Sequence, residues 1–404
     1  MMRSRSFWIG LVGNLLEHYD AALFGLLAPF LAPLFFPSDN PTFSLISTYA
    51  LLPVGFLSKP AGALILGWLG DQFGRKRALS ISLFGMAAAT GCIGCLPTHE
   101  QIGAWAPLLL ALARALQGFF AAAETTGGVL LVLDKAAPAN RCIASSLFDA
   151  AGILGILIGS FLVSYWSEGW RWLFWGGALT GAVGAALRWD QTADIGEKIA
   201  NPFAILGKEW LSVLAICCVA GFSYYNYYLV TIFMNGFLPL VSSLSKSRAM
   251  ELNTWILGLD LLLLPLFGWI AKKVSQEKLM LVAMGAITIL SIPLFQLLEG
   301  ATMGAALFVR LVLTVLGVAL AAPFYSWAYE LSSSKHRFLL VAVGTAIGSR
   351  LLGAPAPALG LWLYQTSGWT PAAAIPLIFL GIVAGGLFLF LQRKKLEPIS
   401  TQKV

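Results

Sequence analysis

The chain has 404 residues, of which 58% are apolar and only 11% are charged, and it carries a formal net charge of +7. A soluble domain carries about 25% charged residues, so this composition excludes a soluble globular protein and indicates one embedded in a membrane. The positive charge does not indicate a nucleic-acid-binding protein, because the basic residues lie in short loops between apolar runs.

Twelve apolar runs follow one another along the chain, and each is close to or above the roughly 20 residues that cross a bilayer. They cover residues 7–36, 43–70, 78–97, 105–133, 142–166, 171–189, 210–239, 250–271, 278–298, 302–329, 338–364 and 371–391. We therefore predict an all-α polytopic membrane protein with twelve transmembrane helices. The longest polar connection predicts an N-terminal six-helix bundle (1–190), a cytoplasmic linker (191–209) and a C-terminal six-helix bundle (210–404).

The first span carries three polar residues, Asn14, Glu17 and Asp20. They recur every three residues, so they share one face of the helix. An ionisable side chain inside a span costs at least ~2.5 kcal/mol and usually faces the interior of the bundle. The pattern predicts either a substrate and proton pathway or an internal salt bridge, for example between Glu17 and Lys59 of the second span or Arg114 of the fourth.

A glycine-rich turn, Gly67-Trp-Leu-Gly-Asp71-Gln-Phe-Gly74-Arg75-Lys76, joins the second and third spans. Glycines allow a tight turn between closely packed helices, and charges at such a turn can act on helix ends. The predicted gating residues of this turn are Gly67, Asp71, Gly74 and Arg75. We expect Asp71 to lie at the N-terminal end of the eleventh helix and Arg75 to pair with Asp134. The corresponding segment of the second half has Lys272 in place of the acid, which leaves its gating role open.

The fourth span carries a second polar face at a depth that overlaps with the first. Arg114 and Gln117 are three residues apart, and Glu124 follows seven residues after Gln117, so the three lie near one line along the helix. Taken together, the two faces favour a substrate and proton pathway over separate salt bridges. Their candidate proton-coupling acids are Glu17, Asp20 and Glu124, and their candidate substrate-binding residues are Asn14, Lys59, Arg114 and Gln117.

The seventh and eleventh spans carry further candidate substrate-binding residues. The run Tyr224-Tyr225-Asn226-Tyr227-Tyr228 lies mid-span, and we expect one face of it, with Tyr225 and Asn226, to line a cavity and to offer a cation–π surface. Arg350 offers a two-pronged donor that suits a carboxylate. Alternatively, Arg350 forms an ion pair with Asp260 and binds no substrate. Two prolines just beyond Arg350 could break the eleventh helix.

The two halves of the chain share a repeated pattern of charges. Arg114, Asp134 and Arg141 are spaced by 20 and 7 residues, and Arg310, Glu330 and Arg337 repeat this spacing 196 residues later. In both copies the acid marks the end of a span and the following base opens the next one. The repeat predicts a duplicated six-helix unit with substrate bound where the halves meet. It adds four gating residues, Asp134, Arg141, Glu330 and Arg337.

The distribution of basic residues predicts the orientation. With the N-terminus in the cytoplasm, nineteen Lys and Arg residues fall in cytoplasmic segments and three in outer loops. Basic residues accumulate on the cytoplasmic side of membrane proteins, so both termini are expected there.

Several of these motifs resemble one family. Gly13-Asn-Leu-Leu-Glu17-His-Tyr-Asp20, Lys59-Pro60, the turn 67–76 and Arg114-Ala-Leu-Gln117-Gly118 with Glu124 are similar to the metabolite:proton symporter branch of the major facilitator superfamily. This branch includes proline/betaine, dicarboxylate and shikimate carriers, and the resemblance is dense in the first half and thinner in the second. It implies the twelve-helix fold, alternating access and proton-coupled uptake, and it does not fix the substrate. We predict uptake of a small carboxylate or zwitterion by a monomer in a bacterial inner membrane.

Two other function classes remain as alternatives, a proton-coupled efflux antiporter and a transport-inactive sensor on the same fold. Coupling to sodium instead of protons also stays open. The chain has no nucleotide-binding loop of the G-x-x-x-x-G-K-[ST] type, so ATP-driven transport is not expected. It offers no nucleophile–base set for an enzyme, and its cysteines indicate neither a metal site nor a disulfide framework. We expect no cofactor or nucleic acid, and as partners a small substrate, protons and the lipid bilayer.

Overall fold

The computed structural model describes residues 5–38, 47–48, 51–166, 169–189 and 201–396. Over these residues the regular structure is helical, without strands. The long helices are α1 (Arg5–Phe35), α2 (Leu51–Phe73), α3 (Arg75–Cys95), α4 (Trp105–Asp134), α5 (Arg141–Trp166), α6 (Trp170–Trp189), α7 (Trp210–Val241), α8 (Lys246–Val274), α9 (Gln276–Gln296), α10 (Met303–Leu331), α11 (Arg337–Ser367) and α12 (Ile375–Leu396).

These helices confirm the predicted all-α polytopic membrane fold. In the part of the chain that the structure describes, nine of them, α3–α5 and α7–α12, are long and apolar enough to cross a membrane. Each of the twelve predicted spans overlaps one long helix. The predicted start of the second span, at residue 43, lies outside the described residues, as do residues 190–200 of the predicted linker.

The turn between α2 and α3 is tighter than predicted. Residues 71–73 and 75–77 are helical, and only Gly74 lies between the two helices, with φ 98°. This left-handed region is open to glycine at little cost, which explains the residue at this position. In the equivalent turn, Ser275 is the single residue between α8 and α9. Its φ is 152°, a backbone conformation that residues other than glycine rarely adopt.

Helices α2 and α4 pack with their backbones in contact. A Cβ atom on Gly62 would lie 1.9 Å from the carbonyl oxygen of Phe119, and one on Gly118 would lie 2.0 Å from that of Gly55. Small residues at such crossings are what lets membrane helices approach so closely.

The two halves of the chain meet on the side where α4 ends and α5 begins, the predicted cytoplasmic side. A single buried cluster there contains Phe7 and Leu133 from the first half and Leu320 and Phe338 from the second. On the opposite side a separate cluster, including Leu23, Phe35, Leu110 and Trp170, draws all its described members from α1–α6. The halves are therefore closed towards the predicted cytoplasm, as in an outward-facing state.

Candidate functional site

A buried chain of hydrogen bonds connects an arginine to an aspartate in the first half. The Arg114 guanidinium donates to the Gln117 carbonyl, and the Gln117 amide donates to the Thr90 hydroxyl over 2.8 Å. The Thr90 hydroxyl in turn donates to Oδ2 of Asp20 over 2.9 Å. Every donor points towards the carboxylate, so the four side chains, which come from α1, α3 and α4, form one directed path.

Asp20 has the environment of a proton acceptor. It is 2% exposed, and its Oδ1 atom has no hydrogen-bond partner among the described residues. It also makes no ion pair with a described residue, and its single described donor is the neutral Thr90. A carboxylate buried with only neutral partners is costly while charged, and a proton removes that cost.

Arg114 carries a buried charge at the other end of the path. Its guanidinium lies 4.3 Å from the centre of the Phe24 ring, and it has no carboxylate within ion-pair distance among the described residues. The Phe24 ring and the Gln117 amide therefore position Arg114, and its positive charge can attract an anion that approaches it.

Glu17 and Lys59 form the predicted internal salt bridge. Their Oε1 and Nζ atoms are 2.7 Å apart, and both side chains are buried. Asn14, on the same face of α1, donates its amide to the Phe148 carbonyl over 2.7 Å and so ties α1 to α5. The predicted face of α1 thus exists, but its three members have different partners.

A central pocket lies between the halves. Its walls contain Lys59, Ala122 and Thr126 from α2 and α4, and Tyr224, Ala342, Thr345, Ala346, Ser349 and Arg350 from α7 and α11. Arg350 belongs to a π-helical segment of α11, Gly348–Gly353, and donates to the Tyr228 hydroxyl over 3.0 Å. Such segments are frequent at functional sites because they interrupt the regular helical ladder. The side chain of Glu124 lies outside the described residues.

The tyrosine run of α7 faces the pocket with different members from those predicted. Tyr224 lines the pocket and Tyr228 meets Arg350, as expected for residues four apart on one helical face. Asn226 instead donates to the Leu313 carbonyl of α10, and Tyr225 is buried in the core of the second half. The alternative pair of Arg350 with Asp260 is not formed, because Asp260 makes no ion pair with any described residue.

The predicted gating residues converge on Tyr329 at the predicted cytoplasmic end of the halves. Its hydroxyl donates to Asp134 over 2.7 Å, and its ring lies 4.7 Å from the Arg141 guanidinium and 3.7 Å from that of Arg337. Arg141 also lies 3.5 Å from Glu330. Acids and bases from both copies of the repeat thus hold the two halves together around one aromatic ring.

The two short turns also reach across the halves. Gly67 of α2 lies against Leu339 at the start of α11, so closely that a Cβ atom on this glycine would lie 3.4 Å from the Leu339 Cα. The side chains of Asp71 and Arg75 lie outside the described residues, so their predicted partners stay predictions. In the second half, the Lys272 ammonium donates to Asn140 over 2.8 Å. The degenerate second turn therefore still makes a contact between the halves.

Sequence reasoning missed two residues that matter here. Thr90 is an isolated hydroxyl in an apolar helix, and only the packing of α3 against α1 and α4 brings it between Asp20 and Gln117. Tyr329 directly precedes Glu330 of the charge repeat. This position beside a predicted gating residue is the signal that could have drawn attention to it.

Comparisons with known proteins agree with this arrangement. The family model described as Major Facilitator Superfamily matches residues 11–349. A putative proline/betaine transporter of Staphylococcus haemolyticus is 28% identical over 92% of this chain and 84% of its own length. The proline/betaine transporter of Escherichia coli is 26% identical over 92% of this chain and 79% of its own. The proton:xylose symporter XylE has a similar fold, with a TM-score of 0.76 at 14% identity over 96% of this chain and 94% of that one.

Proposed function

We propose that this chain, which belongs to the Major Facilitator Superfamily, takes up a small zwitterionic or carboxylate metabolite together with protons by alternating access. The observation that carries the proposal is the directed path from Arg114 to Asp20, a buried carboxylate that forms no ion pair with a described residue, next to a pocket that is lined by two further cations. The proline/betaine transporters among the relatives support a zwitterion as the substrate.

The pocket provides the anion-binding end of the site. Arg350 and Lys59 line it from opposite halves, so a carboxylate that binds both would draw the halves together. A guanidinium can hold the two carboxylate oxygens through parallel hydrogen bonds. Because the predicted cytoplasmic side is closed, we expect the pocket in this state to be loaded from outside.

Coupling follows from the charge balance of the cluster. Lys59 and Arg114 each experience the charge of Arg350, and the described acids that balance these cations are Glu17 and Asp20. A proton on Asp20 removes one negative charge and leaves the cluster more attractive to a substrate carboxylate. By linkage, the bound carboxylate favours the proton to the same extent. When only the carboxylate of the substrate enters this cluster, the doubly loaded cluster and the empty cluster carry the same net charge, and these are the states that a symporter must move.

The membrane setting is part of the proposal. We place the protein in a bacterial cytoplasmic membrane, as a monomer with exposed apolar side chains such as Phe161, Trp172 and Leu262 facing lipid. Both termini are placed in the cytoplasm by the distribution of basic residues. Reporter fusions after Val404 and within residues 243–248 test this, and an external C-terminus would contradict it.

Transport in proteoliposomes tests the proposed function. We expect labelled proline or glycine betaine to accumulate when an imposed pH gradient drives protons inwards, and Glu100→Gln, a change of an exposed acid in an outer loop, to leave this accumulation intact. Accumulation against the direction of proton flow would identify an antiporter instead. Absence of pH-driven movement of proline, glycine betaine and succinate alike would contradict the proposal.

A further inference from the structure

Two carboxylates that the proposed coupling path does not use face each other between the halves. Asp149 of α5 and Asp260 of α8 interact electrostatically across the interface. The residues that follow them, Ala150 and Leu261, belong to one apolar cluster that also contains Tyr227. The packing of α5 on α8 therefore holds the two acids close together.

Neither acid is compensated by the protein. In the described part of the chain, Asp149 and Asp260 make no hydrogen bond and no ion pair, and Asp260 is 7% exposed. Asp149 is half-buried, and two like charges that lie close together repel each other and lose part of their hydration. A cation between them would relieve both costs, and the fold places no lysine or arginine there among the described residues.

A buried hydroxyl provides a second, independent sign of a missing ligand. Tyr325 of α10 is 3% exposed, and its hydroxyl makes no well-aligned hydrogen bond with a described residue, although the Tyr224 side chain lies close to it. Its ring packs edge-on against Phe148, the residue before Asp149, with 5.9 Å between ring centres. The Tyr325 hydroxyl interacts electrostatically with Asp149 and with Tyr224. An unsatisfied polar group thus lies beside the acid pair.

Tyrosines connect the acid pair to the central pocket. Tyr224, which lines the pocket, interacts electrostatically with Asp149 on one side and with Arg350 on the other. Tyr227 of the same helix interacts with Asp260. The pocket therefore has two cations, Arg350 and Lys59, in its walls, and Tyr224 connects it to the acid pair, which lies beyond those walls. Aromatic faces attract cations, including quaternary ammonium groups.

We propose that Asp149 and Asp260, together with Tyr224, Tyr227 and Tyr325, form the subsite for the cationic pole of a zwitterionic substrate whose carboxylate is held by Arg350 and Lys59. This assignment rests on the proposed transport function and narrows its substrate class. It makes an amino acid or a betaine a better substrate than a dicarboxylate, because a second carboxylate would meet the acid pair.

Pairs of ligands that differ only in the cationic pole test the subsite. Glycine betaine and 3,3-dimethylbutanoate have the same shape and carboxylate, but only the first is positively charged, and proline and cyclopentanecarboxylate form a second pair. We expect the purified wild-type protein to bind a zwitterion at least about tenfold more tightly than its neutral counterpart. The double variant Asp149→Asn/Asp260→Asn should bring this ratio close to one. Arg350→Gln should weaken both members of a pair, and Glu299→Gln, at an exposed acid, should change nothing.

The outcomes separate the subsite from the transport function. If the wild-type protein binds neither zwitterion, the proposed function fails. If it binds a zwitterion and the double variant keeps the wild-type ratio, the subsite is wrong and the transport proposal stands. A ratio near one in the wild-type protein also overturns the subsite. If the double variant does not fold, each single variant should still lower the ratio, and two unchanged single variants would refute the assignment. An acid pair that carries the transported proton instead would leave the ratio intact and abolish pH-driven accumulation, which again overturns the subsite.

Discussion

Removal of one hydroxyl where the halves close on the predicted cytoplasmic side should shift the protein towards the inward-open state. Tyr329→Phe deletes the 2.7 Å hydrogen bond to Asp134 but keeps the ring against which Arg141 and Arg337 stack. A hydrogen bond to a charged group contributes about 1.5–3 kcal/mol, and partial access of water favours the lower value. Since the bond exists only while the halves are closed here, we expect about 1.5 kcal/mol of lost stabilisation and about tenfold more inward-open protein.

A native cysteine provides the assay. Cys142, the residue after Arg141, is buried in this closure, with its Sγ 3.4 Å from the Gln276 side chain and 3.7 Å from Ser326. With the other four cysteines replaced by alanine, a membrane-impermeant maleimide added from the cytoplasmic side should label Cys142 only when the halves separate. The labelling rate then reports the inward-open population if opening and closing are fast compared with labelling.

The expected result is a labelling rate about tenfold above that of the wild-type background for Tyr329→Phe. Tyr165→Phe is the matched control, because Tyr165 lies exposed near the opposite end of α5. Equal rates for Tyr329→Phe and the wild-type background would show that this hydrogen bond does not hold the closure. A similar increase for Tyr165→Phe would attribute the effect to the loss of any tyrosine hydroxyl.

Three further predictions concern coupling, burial and packing. Asp20→Asn should abolish accumulation driven by a pH gradient while substrate exchange across the membrane continues, and retained accumulation would remove Asp20 from the coupling path. Lys59→Met leaves the buried Glu17 without its partner at 2.7 Å and should cost about 3–5 kcal/mol of stability. This loss should appear as a lower unfolding temperature in detergent, and the additional change Glu17→Gln should restore that temperature. Gly62→Ala should lower the unfolding temperature through a clash of about 1–3 kcal/mol between α2 and α4, whereas Gly25→Ala, which has open space around it, should not; equal effects would contradict the close approach.

The helices could be predicted because a bilayer imposes a minimum apolar length on each of them. The predicted run 142–166 differs by one residue from α5, Arg141–Trp166. The sequence predicts too long a turn around Gly74, because the charged residues there suggest that both helices end before them. A helix can continue past the hydrocarbon core into the polar interface, where its charges are solvated, and both α2 and α3 do so.

The site was less predictable, because periodicity within one helix does not reveal which neighbour each face meets. The spacing of Asn14, Glu17 and Asp20 correctly predicts a shared face of α1. Their separate partners in α5, α2 and α3 depend on how each helix is rotated about its axis in the bundle.

The charge repeat has the same limit. It aligns Arg310 with Arg114, yet the Arg310 guanidinium donates to the Ala249 carbonyl and to Asn235, both within the second half. Arg114 instead donates to Gln117 at the end of the path to Asp20. Duplication therefore predicts where a charged residue lies, and it leaves the role of that residue to be determined by its neighbours.

The contact of glycines between α2 and α4 has a consequence for the transport cycle. Lys59 lies on α2 and Arg114 on α4, and the two backbones are locked together at Gly62 and Gly118. The two cations must then travel as parts of one rigid block, at a constant separation, whichever side of the membrane the pocket faces. Arg350, in a π-helical segment of the other half, belongs to a helix that can change its register locally. Adjustment to substrates of different length should therefore occur on the side of α11, and variants that enlarge the substrate range should cluster in Gly348–Gly353.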